Sequence, residues 1–585
     1  MKIVFFSPHS AIWIHAFPEG LVAESLQQSG HEVTYVTCGG MLDAQCVVMS
    51  STGVDYRDPL EKRRQVCTQC TARKQLLKKK LGLIGYDLAE MLQKQDVLEI
   101  EDILRNVNEF TFLGLEIDGI PVGRYALYEL ILRKKKGNTN LDKEEWLEYK
   151  ALLRGALVAF FAGRRILERE KPDRVVTYNS LYAVTRVFSH IAQKRGATSY
   201  FLHAGGNLSR RLQTLMIGRD HTLHFIKNLI EQWSRLKSQP CSASMIDQIT
   251  QHFLVLFSGR SIYSYSTAAG RHTLDVRSRF GVRKDQQLLV AAMSSPDERF
   301  AAETVGALQP VENALFPTQR EWIDALLEYV SERSDLFLLV RVHPREFPNR
   351  REGTLSQNAE ILMKVLENLP PNVRVNWPSD GISLYDLANH ADVILNAWSS
   401  AGKEMALLGL PVVAYSPELF FYPGDLNYIG ETRESYFRCI EEALQKGWSI
   451  ERSRNVFRWL AVEYGQGLID ISDSYRHMEG SLGIARRAWH RFRKTMDGLY
   501  VEKRDCRRRA ALLAARLQIN ALLSTGAVTP LELCDVPPAQ PGALDAEDRA
   551  LRRALGRIGV ALYGTDDRRN ESGPLARRLL AMAEE

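Results

Sequence analysis

Two short groups of residues have the types and spacing to do chemistry on an anion. The first is Arg341-Val-His-Pro-Arg345, at the end of the apolar run Leu336–Val342, and the second is Asn396-Ala-Trp-Ser-Ser-Ala-Gly402, at the end of Asp392-Val-Ile-Leu395. An imidazole fixed by a following proline and flanked by Arg341 and Arg345 offers a hydrogen-bond donor and positive charge to a phosphate. Ser399 and Ser400 stand where a helix is expected to begin, so their hydroxyls and the open backbone N–H groups of the first turn suit the same phosphate. Glu404, one turn in, is placed to accept hydrogen bonds from a ribose, and Gly402 keeps the surface low where a ligand would approach. Taken singly, paired serines are N-caps and a His-Pro is a strand end. Both at the ends of neighbouring strands, with Gly409-Leu-Pro-Val-Val413 behind them, point to a phosphate site. The loop Ser294-Ser-Pro-Asp-Glu298 ends another strand, so Ser294, Ser295 and Glu298 are expected to line the same site as well.

A second set of candidates lies near the N-terminus, in Ser7-Pro-His-Ser-Ala-Ile-Trp-Ile-His-Ala-Phe-Pro-Glu19. His15 and His9 are titratable groups with the chemistry of a general base, and Glu19 is a carboxylate candidate. The alternative is a histidine satisfied by backbone groups. Asn179 and His203 end later strands and should face the acceptor. Cys38, Cys46, Cys67 and Cys70 include one C-x-x-C pair, which permits a structural zinc site with buried free thiols as the alternative. No Asp-x-Asp motif ends a donor-side strand, so no metal or other cofactor is expected to be required.

These candidates need a scaffold of strands and helices in alternation. Lys2–Ser7, His31–Thr37, Asp173–Tyr178 and Thr198–Leu202 read as strands, with helices at Phe17–Ser29 and Tyr182–Lys194. Residues 75–170 are rich in Leu, Lys and Glu and read as inserted helices. Residues 205–285 show helical pieces and no clear strand. The rhythm restarts with strands at Gln287–Met293, Leu336–Val342, Val373–Asn376, Asp392–Leu395 and Pro411–Tyr415, and helices at Gln319–Ser331, Ser383–Asn389 and Ser400–Leu408. The expected fold class is α/β: two Rossmann-like domains facing a cleft, 1–255 and 256–480, with a basic helical extension over 481–585.

Composition agrees with a globular protein and excludes several classes. Of 585 residues, 45% are apolar and 25% charged, ordinary proportions that rule out a disordered, collagen-like or coiled-coil chain. No apolar run approaches the roughly 18 residues of a membrane helix. The opening Met1–Pro8 reads as a strand, not a signal peptide, so a cytoplasmic location is expected. Eight cysteines are too few for a disulfide scaffold. Residues 481–585 carry 19 Lys/Arg against 13 Asp/Glu, the whole of the chain's +6. A neutral body with a basic tail argues against nucleic acid as a partner. Over Arg486–Arg516 the basic residues interleave with Trp489, Phe492, Met496, Leu499 and Tyr500, which suits either an anionic membrane surface or a helix packed back on the core. Pro537–Gly542 reads as a linker.

On these motifs, Leu336–Tyr415 resembles the donor domain of GT-B glycosyltransferases. The His-Pro and Ser-Ser pairs are similar to those of the capsule polysaccharide biosynthesis group, which includes Kdo transferases, sialyltransferases and polysialyltransferases. Teichoic-acid glycerophosphotransferases have similar motifs. The resemblance implies that His343, Ser399 and Ser400 hold the phosphate of a nucleotide-sugar, with a CMP-linked Kdo or nonulosonate as leading donor and a glycan or lipid-linked acceptor of the bacterial surface. UDP- or GDP-sugar and glycerophosphoryl donors are the alternatives, as is a scaffold without catalysis. The Asp-Asp-Gly or Glu-Asp-Gly acceptor-domain motif of sialyltransferases has no counterpart in the chain.

Overall fold

The computed structural model describes residues 1–259, 274–311, 314–349, 353–417, 421–474, 484–510, 512–536, 540–564 and 573–583. Among them, two six-stranded sheets organise the protein. The first sheet contains β1 (Lys2–Phe6), β2 (Glu32–Val36), β3 (Arg174–Tyr178), β4 (Thr198–Ala204) and β5 (Thr214–Arg219). The second contains β6 (Gln287–Ala292), β7 (Leu336–Arg341), β8 (Val373–Asn376), β9 (Val393–Asn396), β10 (Val412–Ala414) and β11 (Tyr428–Ile429). A last strand, β12 (Ile469–Asp470), returns to the first sheet and pairs antiparallel with β5. The architecture is α/β, with two Rossmann-like domains.

The second sheet runs β8-β7-β6-β9-β10-β11, all parallel. Such strands are covered on both faces, so they read as continuous apolar runs. In β7 all six residues are buried, each large aliphatic side chain contributing about 1.5–3 kcal/mol. The chain order reverses between β6 and β9, the place where open α/β sheets bind ligands beyond their carboxyl ends. Register brings those ends level, because Ala292 pairs with both Arg341 and Asn396. Met293, His343 and the loop after Asn396 therefore leave the sheet along one edge.

The first sheet runs β2-β1-β3-β4 in parallel, followed by β5 antiparallel to β4 and β12 antiparallel to β5. Strand β5 falls inside the stretch that reads as strand-free in the sequence. Its buried Leu215 and Ile217 share a core with Tyr200 and Leu202 of β4, and only this long-range pairing reveals it. The first helix starts at Trp13, earlier than the apolar spacing suggests, so His15 and Pro18 lie within it. Two segments cross the domain bounds read from the sequence. β12 lies within 256–480 yet joins the first sheet. Trp233 and Phe253, from within 1–255, pack in one core with Leu288, Ile394 and Trp459.

The C-terminal extension is mostly integral to both domains. Asp505 accepts a hydrogen bond from the Trp13 indole (3.0 Å), Arg509 pairs with Glu24 (2.8 Å), and Arg73 pairs with Glu502 (2.6 Å). The helix Leu513–Thr525 completes the core of the first domain through Ile519, Leu522 and Leu523. The helix Ala543–Tyr563 packs on Ala243–Phe257 of the other core. From Tyr500 onward, then, the described tail packs back on the body. Of the linker reading at 537–542, residues 537–539 lie outside the described residues. No helix of the described residues is long and apolar enough to cross a membrane.

Candidate active site

The loop after β9 is built by Asn396, whose buried amide donates to the Ser399 carbonyl and to the Tyr422 hydroxyl, both at 3.0 Å. Gly402 serves this packing rather than ligand approach: a Cβ there would meet the Tyr422 hydroxyl and the Asn396 amide at 2.0 and 2.4 Å. The following helix is short, Ala401–Leu407. Ser399 Oγ accepts from the Ala401 N–H (3.2 Å), and Ser400 Oγ donates to Glu404 (3.1 Å). The other Glu404 oxygen accepts from the Tyr385 hydroxyl at 2.7 Å.

His343 lies just beyond β7, where Pro344–Glu346 makes a 3₁₀ turn. Its Nδ1 accepts the Arg345 backbone N–H at 3.2 Å. In the neutral ring the proton must then sit on Nε2, which becomes a donor. Burial, then the charges of Arg341 and Arg345, lower its pKa to about 4. Arg341 is buried, donating to Asn376 and to the Ile382 carbonyl, and burial lowers its pKa to about 10.

Two cavities meet at these residues. One, of about 300 Å³, is lined by Arg211, Arg341, His343, Tyr385, Ser399, Ser400, Lys403, Glu404 and Tyr464. The other, of about 540 Å³, lies between the domains and is lined by Asn179, His203, Ser294, Ser295, Glu298, Arg299, Trp398 and Glu463. His343, Ser399, Ser400 and Lys403 line both. Ser294, Ser295 and Glu298 thus share a cavity with Asn179 and His203 and do not line the smaller one. A wider groove of about 870 Å³ adjoins the second cavity at Leu223 and Leu308 and is walled by Arg186, His221 and Lys227.

Lys403 is a residue the sequence reading passed over. Its ammonium lies 2.6 Å from both Glu463 oxygens. Glu463 belongs to a π-helical turn, Val462–Gln466, at the crossing back to the first domain. Such turns recur at functional sites. A lysine one residue before Glu404 reads as surface in sequence, and only the long-range Glu463 partner signals otherwise.

Arg345 departs from its expected place. It lines neither cavity. Its guanidinium pairs with buried Asp297 at 2.7 Å and donates to the Leu132 carbonyl at 2.9 Å, joining the inserted helices to the second domain. Lys135 acts alongside, donating to the carbonyls of Phe347 and Thr354.

The N-terminal candidates also sit away from both cavities. Glu19 is 1% exposed and accepts from Ser7 Oγ at 2.5 Å. Burial raises its pKa to about 8, so it is protonated at neutral pH. His15 stacks on Tyr178 (4.1 Å between centroids) and lies 6.5 Å from His203. His9 lies edge-on to Tyr182, its Nε2 buried without a hydrogen-bond partner. His203 is the first-domain histidine that lines the cleft. Its Nδ1 is 3.0 Å from the Ala204 carbonyl, a contact that requires Nδ1–H and leaves a lone pair on Nε2. Burial lowers its pKa to about 4, keeping it neutral.

Cys38, Cys46, Cys67 and Cys70 surround a small cavity of about 20 Å³ as free thiols. Burial pushes Cys46 and Cys70 up to about 12. Among the described residues no group of three or more His, Cys, Asp or Glu is placed to hold a metal ion.

No protein-family model matches the chain, and no curated protein does. Solved structures similar to it include the KpsC β-Kdo 2,4 transferase of Thermosulfurimonas dismutans, 15% identical over 50% of this chain and 80% of that one, TM-score 0.31. The UDP-GlcNAc 2-epimerase of Neisseria meningitidis bound to UDP-GlcNAc is 13% identical over 79% and 95%, TM-score 0.23. The glycosyltransferase SnogD of Streptomyces nogalater is 14% identical over 79% and 96%, TM-score 0.23.

Proposed function

We propose that the protein is a metal-independent GT-B-type glycosyltransferase. Its donor is a nucleotide-activated sugar, with a CMP-linked Kdo or nonulosonate leading, and its acceptor is a surface glycan or a lipid-linked glycan met at the membrane surface. The observation that carries the reading is the ring of His343, Ser399, Ser400 and Lys403 shared by the two cavities. A donor lying across that ring has its nucleoside beside Tyr385 and Glu404 and its sugar in the cleft. The anomeric carbon–oxygen bond to phosphate breaks there as the acceptor oxygen bonds to carbon. His343 Nε2–H, the serine hydroxyls and the Lys403 ammonium stabilise the charge growing on the departing phosphate. His203 Nε2 takes the acceptor's hydroxyl proton.

The test is a panel of CMP, UDP, GDP and CDP-glycerol in heat-stability measurements, since a ligand that binds only the folded state raises Tm by mass action. One nucleotide should raise Tm, and Ser399→Ala/Ser400→Ala should abolish that rise. Preference for CDP-glycerol would shift the reading to glycerophosphoryl transfer. No rise with any nucleotide would end it.

A further inference from the structure

The helix Ile484–Met496 stands apart from the rest of the extension. Its neighbour Tyr500–Arg508 is anchored on the inserted helix Leu60–Leu81, whereas among the described elements Ile484–Met496 has a substantial contact only with Tyr500–Arg508. Trp489, Phe492 and Met496 are 51%, 56% and 71% exposed. Their spacing of three and four residues sets them on one face of the helix. Arg493 shares that face and lies over the Trp489 ring at 4.8 Å. Arg491 and Lys494 are also exposed. From 484 to 496 the chain has five basic residues and no acidic one.

Large apolar side chains left in water on a monomer mark a contact surface. This one is narrow, a single helix, with the exposed cations Arg491, Arg493 and Lys494 beside it. A protein groove would have to cover an aromatic stripe and match several guanidiniums at once. A nucleic acid would satisfy the charge and leave Trp489, Phe492 and Met496 in water. An anionic lipid surface satisfies both, with rings and thioether entering the acyl boundary and guanidiniums among the phosphates. We infer that Ile484–Met496 is the docking element that places the protein on a membrane bearing anionic phospholipid. The inference rests on the helix alone and does not need the transferase reading of the cleft.

The experiment is co-sedimentation of the full chain with vesicles of phosphatidylcholine alone and with phosphatidylglycerol added, at low and high salt. The protein should pellet with the anionic vesicles at low salt, much less at high salt, and little with phosphatidylcholine. Arg491→Gln/Arg493→Gln/Lys494→Gln should weaken partitioning roughly a hundredfold, each cation near the surface contributing about fivefold. Trp489→Ala/Phe492→Ala/Met496→Ala should also release it, and Trp489 fluorescence should shift to the blue on binding. Because the helix is exposed, both variants should keep the parent's Tm and nucleotide response, which separates this inference from the proposed function. No pelleting by the parent, or equal pelleting by parent and variants, would overturn it. So would tighter binding to a short DNA duplex than to the anionic vesicles.

Discussion

Arg345→Ala separates what the sequence suggests from what the fold does with it. Next to His343, the guanidinium reads as part of the phosphate site. In the structure it is 4% exposed, opposite an Asp297 that is 1% exposed, and it also holds the Leu132 carbonyl. Removing one partner of such a pair leaves the other charged, buried and unmatched, at a cost of about 3–5 kcal/mol. In a chain of this size that should lower Tm by roughly 2–4 °C. The assay is a thermal melt with and without nucleotide, together with titration of nucleotide well below the variant's Tm. The account expects a fall in Tm of a few degrees, with nucleotide affinity close to the parent's. Asp297→Ala added to Arg345→Ala should recover part of the loss, because the orphaned carboxylate is gone. An unchanged Tm with abolished nucleotide binding would refute the reasoning and return Arg345 to the phosphate.

His343→Ala should do the reverse, leaving Tm intact and weakening nucleotide binding by about 1.5–3 kcal/mol in calorimetric titration, the range of a charge-assisted hydrogen bond. Lys403→Met should lose affinity similarly, while Glu463→Gln, which frees the ammonium for phosphate, should hold or tighten it; a weaker Glu463→Gln would contradict the competition. Stability should fall on acidification. His9, His15, His203 and His343 have pKa values lowered by burial to about 3–4, so between 6.5 and about 4 the unfolded chain binds protons that the folded one refuses. Tm at about pH 5 should lie below Tm at about pH 7.5, and an equal or higher value would be inconsistent. Glu19, raised to about 8, runs the other way: its stabilisation is complete below 4.5 and lost as pH rises through 8, and Glu19→Gln should flatten that alkaline decline.

Legibility in the sequence followed local patterning. The strands of the second sheet are doubly covered, so Leu336–Val342 and Gln287–Met293 announce themselves as apolar runs, and the residues at their ends could be placed with them. Strand β5 could not, because its partner is chosen across the loop 205–213 and its burial is completed by Phe225 and Val528 near Gly218. The two-residue β11 and β12 are too short for any period. Side-chain direction was hidden too. The 3₁₀ turn after His343 sends Arg345 towards Asp297, 48 residues earlier, and Lys403 pairs with Glu463, 60 residues on. The open Nε2 of His203 follows from a contact of Nδ1 with its own neighbour's carbonyl, which no motif encodes.

The central claim is that a nucleotide phosphate occupies the junction of the two cavities, and a crystal structure with the nucleotide that most raises Tm tests it most directly. The account predicts phosphate oxygens within hydrogen-bonding distance of His343 Nε2 and the Ser399 and Ser400 hydroxyls, with the ribose near Glu404 and Lys403 turned from Glu463 towards the phosphate. A nucleotide bound elsewhere, or one whose phosphate leaves His343 and both serines untouched, would contradict it.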